Sequence, residues 1–296
     1  MEMFDKPGVW LKGNLHCHTT ASDGVCTPQQ TCRLYRDAGY DFLALTDCRR
    51  FYEPTGHEPL TVLSGGEWTV CVGGTSASVV GVGMRRAPEI SPAEAPTAKE
   101  VIAAIRAAGG LAFWAQPGQL LVAPEDILKE KDALGLAICC TATADGDCGR
   151  AAAGNLADMV LTQEPHYRLL GTGNPCTSAP ERGGAFIFLK ADGRGQAAVF
   201  EALRRGDFYA SGGPELYQIT LEGDRLTVDC SPVVRAFFLG DACWTPNRAV
   251  YGQAMTHLEY KIQPYEHYVR FEAYDAKGRG VWSQPIIVRQ GGGENA

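Results

Sequence analysis

The sequence lacks three things that would each have set its class. It has no apolar run long enough to span a bilayer, which excludes a helical membrane protein. It has no excess of basic charge. Lys and Arg total 27 against 34 Asp and Glu, a net charge of -7, which argues against a nucleic-acid backbone as the main partner. It also has no Cys-x-x-Cys pair, although it carries 11 cysteines. An odd, scattered set favours free thiols in a reducing compartment over a disulfide framework. The opening Met1-Glu2-Met3-Phe4-Asp5 has no signal-peptide pattern, so a cytoplasmic location is expected. No internal repeat is visible.

Histidine is scarce, 6 in 296 residues, and two of the six stand two apart. Asn14-Leu15-His16-Cys17-His18 follows the apolar run Val9-Trp10-Leu11, the pattern of a strand and its end. Side chains alternate faces along a strand, so His16 and His18 are predicted to point one way and Leu15 and Cys17 the other. Paired imidazoles at a strand end can hold a divalent metal. Ser22-Asp23-Gly24 is a turn that can fold a carboxylate back over the same spot. On this fragment alone, two histidines of a half-buried strand are an equally good reading.

The next segment extends the pattern. Thr27 and Pro28 read as the N-cap and first turn of a helix ending at Gly39. Asp41 to Cys48 reads as a buried parallel strand. This order resembles the PHP superfamily (polymerase and histidinol phosphatase), whose first motif is His-x-His followed by Ser-Asp-Gly. The family's second motif, Thr-Asp-His, is here Thr46-Asp47-Cys48. The resemblance implies a distorted seven-stranded β/α barrel and a site of His, Asp and Glu ligands for divalent metals. In the family a glutamate at the position of Glu67 bridges metals. Ala115-Gln116-Pro117 stands where the family has Ala-His-Pro, and Asn174-Pro175-Cys176 where it has Asp-x-His. The string Phe208 to Pro214 resembles the closing segment of members with a C-terminal β domain, a group that includes carbaryl-hydrolase-like proteins.

Other elements follow from local pattern. Leu60 to Glu67 reads as a third strand. Val70 to Met84, with Gly73-Gly74, reads as a hairpin. Thr97 to Glu100 is a capping box for a helix ending at Gly109. Further strands and helices alternate to Arg205, which implies a parallel barrel over residues 1–214. From Glu215 only strands follow, read as a small all-β sandwich over 215–290, with residues 291–296 as a disordered tail.

The ligand set implied by the resemblance is depleted. His16, His18, Asp23 and Glu67 remain, and His16, His18 and Glu67 would make an open site for about one divalent metal, zinc first, with manganese or iron as other choices. Cys48 is either a small buried filler or a thiolate that could join Asp23 on a second, softer metal. Arg49, Arg50 and Arg182 are either exposed loop residues or binders of a small anionic or phosphorylated molecule, and Gln116 joins them as a substrate contact. Cys140 and Cys176 fall at strand ends expected to face the pocket. His57, His166, His257 and His267 match no motif. Three functions stand open: a PHP-type, phosphoesterase-like metal-dependent hydrolase of weak or specialised activity; an inactive homologue that binds a metal or a small anion; and a structural or interaction protein.

Overall fold

Helix termini explain why several elements start where they do. In α2 (Pro28–Asp37), after the short α1 (Glu2–Asp5) and strand β1 (Val9–Asn14), Thr27 Oγ1 accepts the Gln30 N–H while Gln30 Oε1 accepts the Thr27 N–H. Such a reciprocal cap contributes about 1 kcal/mol. Strands β2 (Phe42–Ala44) and β3 (Thr61–Leu63) follow, then the hairpin β4 (Gly65–Val72) and β5 (Thr75–Val82). Helix α3 (Ala98–Ala107) carries the second capping box, between Thr97 and Glu100. The computed structural model of the chain describes residues 2–56, 58–91, 96–141, 150, 152–173 and 184–288.

The remaining elements are β6 (Leu111–Trp114), α4 (Pro124–Leu128), β7 (Gly135–Cys140), α5 (Gly154–Leu161), β8 (Arg168–Thr172), β9 (Phe186–Ala191), α6 (Gln196–Arg205) and β10 (Phe208–Ser211). They are followed by β11 (Leu216–Glu222), β12 (Arg225–Gly240), β13 (Ala249–Lys261), β14 (Tyr268–Tyr274), β15 (Gly280–Trp282) and β16 (Ile286–Ile287). No described helix is long and apolar enough to cross a membrane.

Among the described residues the strands hydrogen-bond in two sheets, and their pairing does not close into one seven-stranded barrel. One sheet runs β4-β5-β6-β7-β8. The other runs β11-β12-β14-β15-β10-β9-β1-β2-β3, with β13 on β12 and β16 on β14. The two enclose a common apolar core. Leu11, Leu15, Phe42 and Leu63 from one sheet pack with Val80, Val82, Phe113 and Leu170 from the other. Each such buried side chain contributes about 1.5–3 kcal/mol. Where β8 meets β9 there is no ladder, yet the backbones touch: a Cβ on Gly171 would stand 2.4 Å from the Phe186 carbonyl oxygen.

The pairing corrects the parallel reading. β1, β2 and β3 are parallel, as are β6, β7 and β8. But β9 runs antiparallel to β1, β10 to β9, and β5 to both β4 and β6. Residues 60–67 are also not one strand. β3 stops at Leu63, and the chain crosses into the second sheet as β4, so Glu67 lies within β4.

The C-terminal strands hydrogen-bond into one sheet that continues through the β10–β15 pair into β10, β9, β1, β2 and β3. Strand β12 bends at two register shifts between Asp229 and Arg235. Its inward residues Leu226, Val228 and Cys230 step by two, then by three to Val233 and Ala236, then by two to Phe238. That phase jump is the mark of β-bulges, which curve a strand around its own core. The predicted tail lies outside the described residues.

Candidate metal centre

The site begins at the end of β1. Leu15 and Cys17 are fully buried in two apolar clusters, which turns His16 and His18 the other way, as alternation requires. Asn14 fixes the bend. Its side-chain amide donates to the carbonyls of His16 at 3.0 Å and Gly173 at 2.6 Å, and its oxygen accepts the Gly173 N–H at 3.1 Å. This ties the histidine segment to the end of β8.

Glu67 reaches the same point from β4. Its Oε2 lies 3.3 Å from His16 Nε2 and 2.7 Å from His18 Nε2. All three side chains are buried, and they form one group that could hold a metal ion. Neither ring nitrogen of His16 makes a hydrogen bond of acceptable geometry among the described residues. Burial alone would raise the Glu67 carboxyl, but the two imidazoles outweigh it and hold it far below the usual carboxylate range.

Asp23 arrives by a different route. Its Oδ1 accepts from His18 Nδ1 at 2.6 Å, on the ring edge away from Glu67. Burial pushes this carboxyl up, and the nearby His18 outweighs it, so it sits below the usual value. Gly24 makes the turn possible: a Cβ there would stand 2.6 Å from the backbone of His18 and Thr19.

Two features of the loop were not read from the sequence. Buried Asp47 accepts the Thr19 N–H at 2.8 Å, the Thr19 hydroxyl at 2.7 Å and the Ser22 hydroxyl at 2.6 Å. The carboxylate of the second motif thus orders the loop that carries Asp23. The signal was present in two polar groups, Thr19 and Ser22, which find their acceptor near a strand end that supplies an aspartate. Thr46 is the second feature, its hydroxyl accepting the Cys17 N–H at 2.9 Å.

Cys48 is exposed, which overturns the reading of a buried filler. Its Sγ lies 3.5 Å from Glu67 Oε2 and 3.9 Å from His18 Nδ1, and His18, Asp23 and Cys48 form a second convergent group. Contact with His18 lowers the thiol, but partial burial and the carboxylates of Glu67 and Asp23 outweigh it and leave it raised.

The remaining candidates are spread out. Arg49 and Arg50 are exposed. Arg49 lines a cavity of about 310 Å³ with Phe51, Trp68 and Ile90, and the histidines and Glu67 are not among its walls. Gln116 is half-buried just past β6, and Cys140 is buried at the end of β7; neither belongs to a convergent metal-binding group among the described residues. Arg182, Cys176 and His57 lie outside the described residues.

No protein-family model matches the chain, and no curated protein matches it. Among solved structures, it is similar to a two-domain protein containing a predicted PHP-like metal-dependent phosphoesterase from Bacteroides vulgatus. That match has 14% identity over 95% of this chain and 96% of the other, with a TM-score of 0.49. A protein from Bifidobacterium adolescentis, provisionally described as a metal-dependent phosphoesterase, shares 17% identity over 66% of this chain and 96% of its own, with a TM-score of 0.47. An amidohydrolase from Chromobacterium violaceum with bound sulfate shares 15% identity over 55% and 88%, with a TM-score of 0.41.

Proposed function

We propose that the chain is a metal-dependent hydrolase of the PHP type, acting on a phosphoester or related ester, with a sparse ligand set and slow turnover of simple phosphoesters. One observation carries the reading: His16 and His18 converge on a single buried carboxylate oxygen, and His16 has no hydrogen-bond partner among the described residues. A buried polar group left unpaired costs about 1–3 kcal/mol, and a bound cation would offset that cost. Two imidazoles and one carboxylate are a donor set suited to a divalent ion with room left for substrate. Such an ion supplies Lewis-acid charge toward an ester oxygen and acidifies nearby water.

The chain's own groups do the positioning. Asp23 holds the Nδ1 edge of His18 and so fixes which nitrogen faces Glu67. Asp47 orders the loop beneath. Arg49 and Arg50, exposed directly after Cys48, draw small anions toward this end of the molecule. The half-buried amide of Gln116, in place of an imidazole, favours a second reading in which the cation is bound without turnover.

One experiment tests both. Metal-stripped protein is saturated with zinc or manganese, analysed for bound metal and screened on simple phosphoesters. About one ion per chain, lost in His16→Ala, with slow hydrolysis is expected. Bound metal without hydrolysis selects the second reading. No retained metal, or full retention in His16→Ala, sinks both.

A further inference from the structure

A second cavity opens on the other face of β1. Leu11 points into the core between the sheets, so Trp10 and Lys12 face away from it. Lys12 stands opposite Phe188 of β9 in the antiparallel register. Its Nζ lies 4.1 Å from the centre of the Tyr40 ring and 4.5 Å from that of Phe186. These side chains, with Trp10 and the exposed Glu215 between β10 and β11, line a cavity of about 570 Å³; His16, His18 and Glu67 are not among its walls. A cavity of that size, with aromatic walls and a few charged groups, suits a small molecule.

The charges in its wall decide which one. Asp41 is already occupied, since its carboxylate accepts the Lys12 backbone N–H at 2.9 Å and pairs with Arg194. Arg279 is held by Asp275. The Lys12 ammonium and the Glu215 carboxylate make no hydrogen bond or ion pair among the described residues. Partial burial lowers the Lys12 ammonium, and Asp41 and Glu215 oppose that shift. A simple anion would satisfy Lys12 and be repelled by Glu215, and a simple amine would do the reverse. One molecule with both charges satisfies both. We infer that this cavity binds a small zwitterion of the amino-acid class with a large apolar side chain, its carboxylate on Lys12, its ammonium toward Glu215 and its body against Trp10, Phe186 and Phe188. Neither His16 nor Glu67 takes part, so binding stands whether or not the metal centre turns substrate over.

The test uses the full-length chain, stripped of metal, with L-phenylalanine as the probe in isothermal titration. It should bind in the millimolar range or tighter. 3-Phenylpropionate, which lacks the ammonium, and 2-phenylethylamine, which lacks the carboxylate, should each bind roughly tenfold more weakly or worse. Lys12→Met, which keeps an apolar stem and removes the charge, should weaken L-phenylalanine by a similar factor. Glu215→Gln, at an exposed position, should bring 3-phenylpropionate level with L-phenylalanine, which a merely structural role for Glu215 would not do. His16→Ala should bind as the parent does, which separates this cavity from the metal centre. Absence of binding at millimolar L-phenylalanine, equal binding of the three compounds, affinity unchanged in both Lys12→Met and Glu215→Gln, or loss of binding in His16→Ala would each overturn the assignment.

Discussion

Two buried clusters of charge in the molecule have opposite degrees of completion. Arg270 of β14 is 1% exposed, and each of its three guanidinium nitrogens donates to a carboxylate. It donates to both oxygens of Asp158 from α5, at 2.6 and 2.8 Å, and to Glu272 at 2.5 Å. The Tyr274 hydroxyl occupies the other Glu272 oxygen at 2.5 Å. Burial lowers the guanidinium, but its two carboxylates outweigh this and raise it. His16 is buried as deeply, yet its ring has no hydrogen-bond partner among the described residues. The first cluster is closed on itself and joins the C-terminal sheet to α5. The second is arranged for a guest.

The contrast is broken most directly at Arg270. Arg270→Leu strands two carboxylates whose side chains are 28% and 12% exposed. The loss should be about 3–5 kcal/mol, read as a lower denaturant midpoint. Metal binding should be unchanged in the fraction that remains folded. A loss below about 1 kcal/mol would mean that the network is no more than a surface ion pair.

The histidine cluster should respond to solution conditions instead. Zinc at about 100 times its dissociation constant should stabilise the protein by about 2.7 kcal/mol, and a chelator should abolish the gain. His16→Ala should show no gain at all. Equal stabilisation of the variant would remove the distinction between the two clusters.

A smaller effect is expected at Asp47. Asp47→Ala leaves the buried Thr19 N–H without its acceptor and should cost about 1–3 kcal/mol. Because the loop bearing Asp23 loosens, metal affinity should fall about 10–100-fold. Isothermal titration of the metal-stripped variant measures this, and unchanged affinity would mean that the loop does not orient His18.

These residues also show what the sequence reveals and what it hides. The N-cap at Thr27 and the capping box at Thr97 were legible because each is complete within four residues. The inward turn of His16 and His18 was legible because alternation is a local rule. Strand direction was not: the apolar runs of β9 and β10 read the same whether they pair parallel or antiparallel. The break between Leu63 and Gly65 was hidden inside one apolar run. The end of β13, from Leu258, was legible from its alternation, but its first part escaped because residues 249–257 are mostly exposed and carry no two-sided pattern. Asp47 was visible as a motif residue, but its bonds to Thr19 and Ser22 join positions over 20 residues apart, which no local pattern encodes.

The smallest effect belongs to the turn between β14 and β15. Asp275 accepts the N–H groups of Lys277 and Arg279, each at 2.9 Å, and the Arg279 guanidinium at 2.8 Å. Gly278, at φ 79°, closes the turn. Burial pushes the Asp275 carboxyl up, but the donors and the positive charge of Arg279 outweigh it, so its folded value lies below the unfolded one. The unfolded chain therefore binds the proton first as pH falls. The stabilisation is present in full above the unfolded value, about pH 3.9, and is lost as pH drops through the folded one. Asp275→Asn should cost about 1 kcal/mol at neutral pH, and the gap from the parent should narrow below about pH 4. Denaturant midpoints across the acid range decide the matter. A gap that stays constant to the lowest pH would assign the effect to the shape of the turn and not to its charge. Because the turn lies on the side of the closed cluster, zinc affinity at neutral pH should not change in this variant, and a change there would mean that the two regions are coupled.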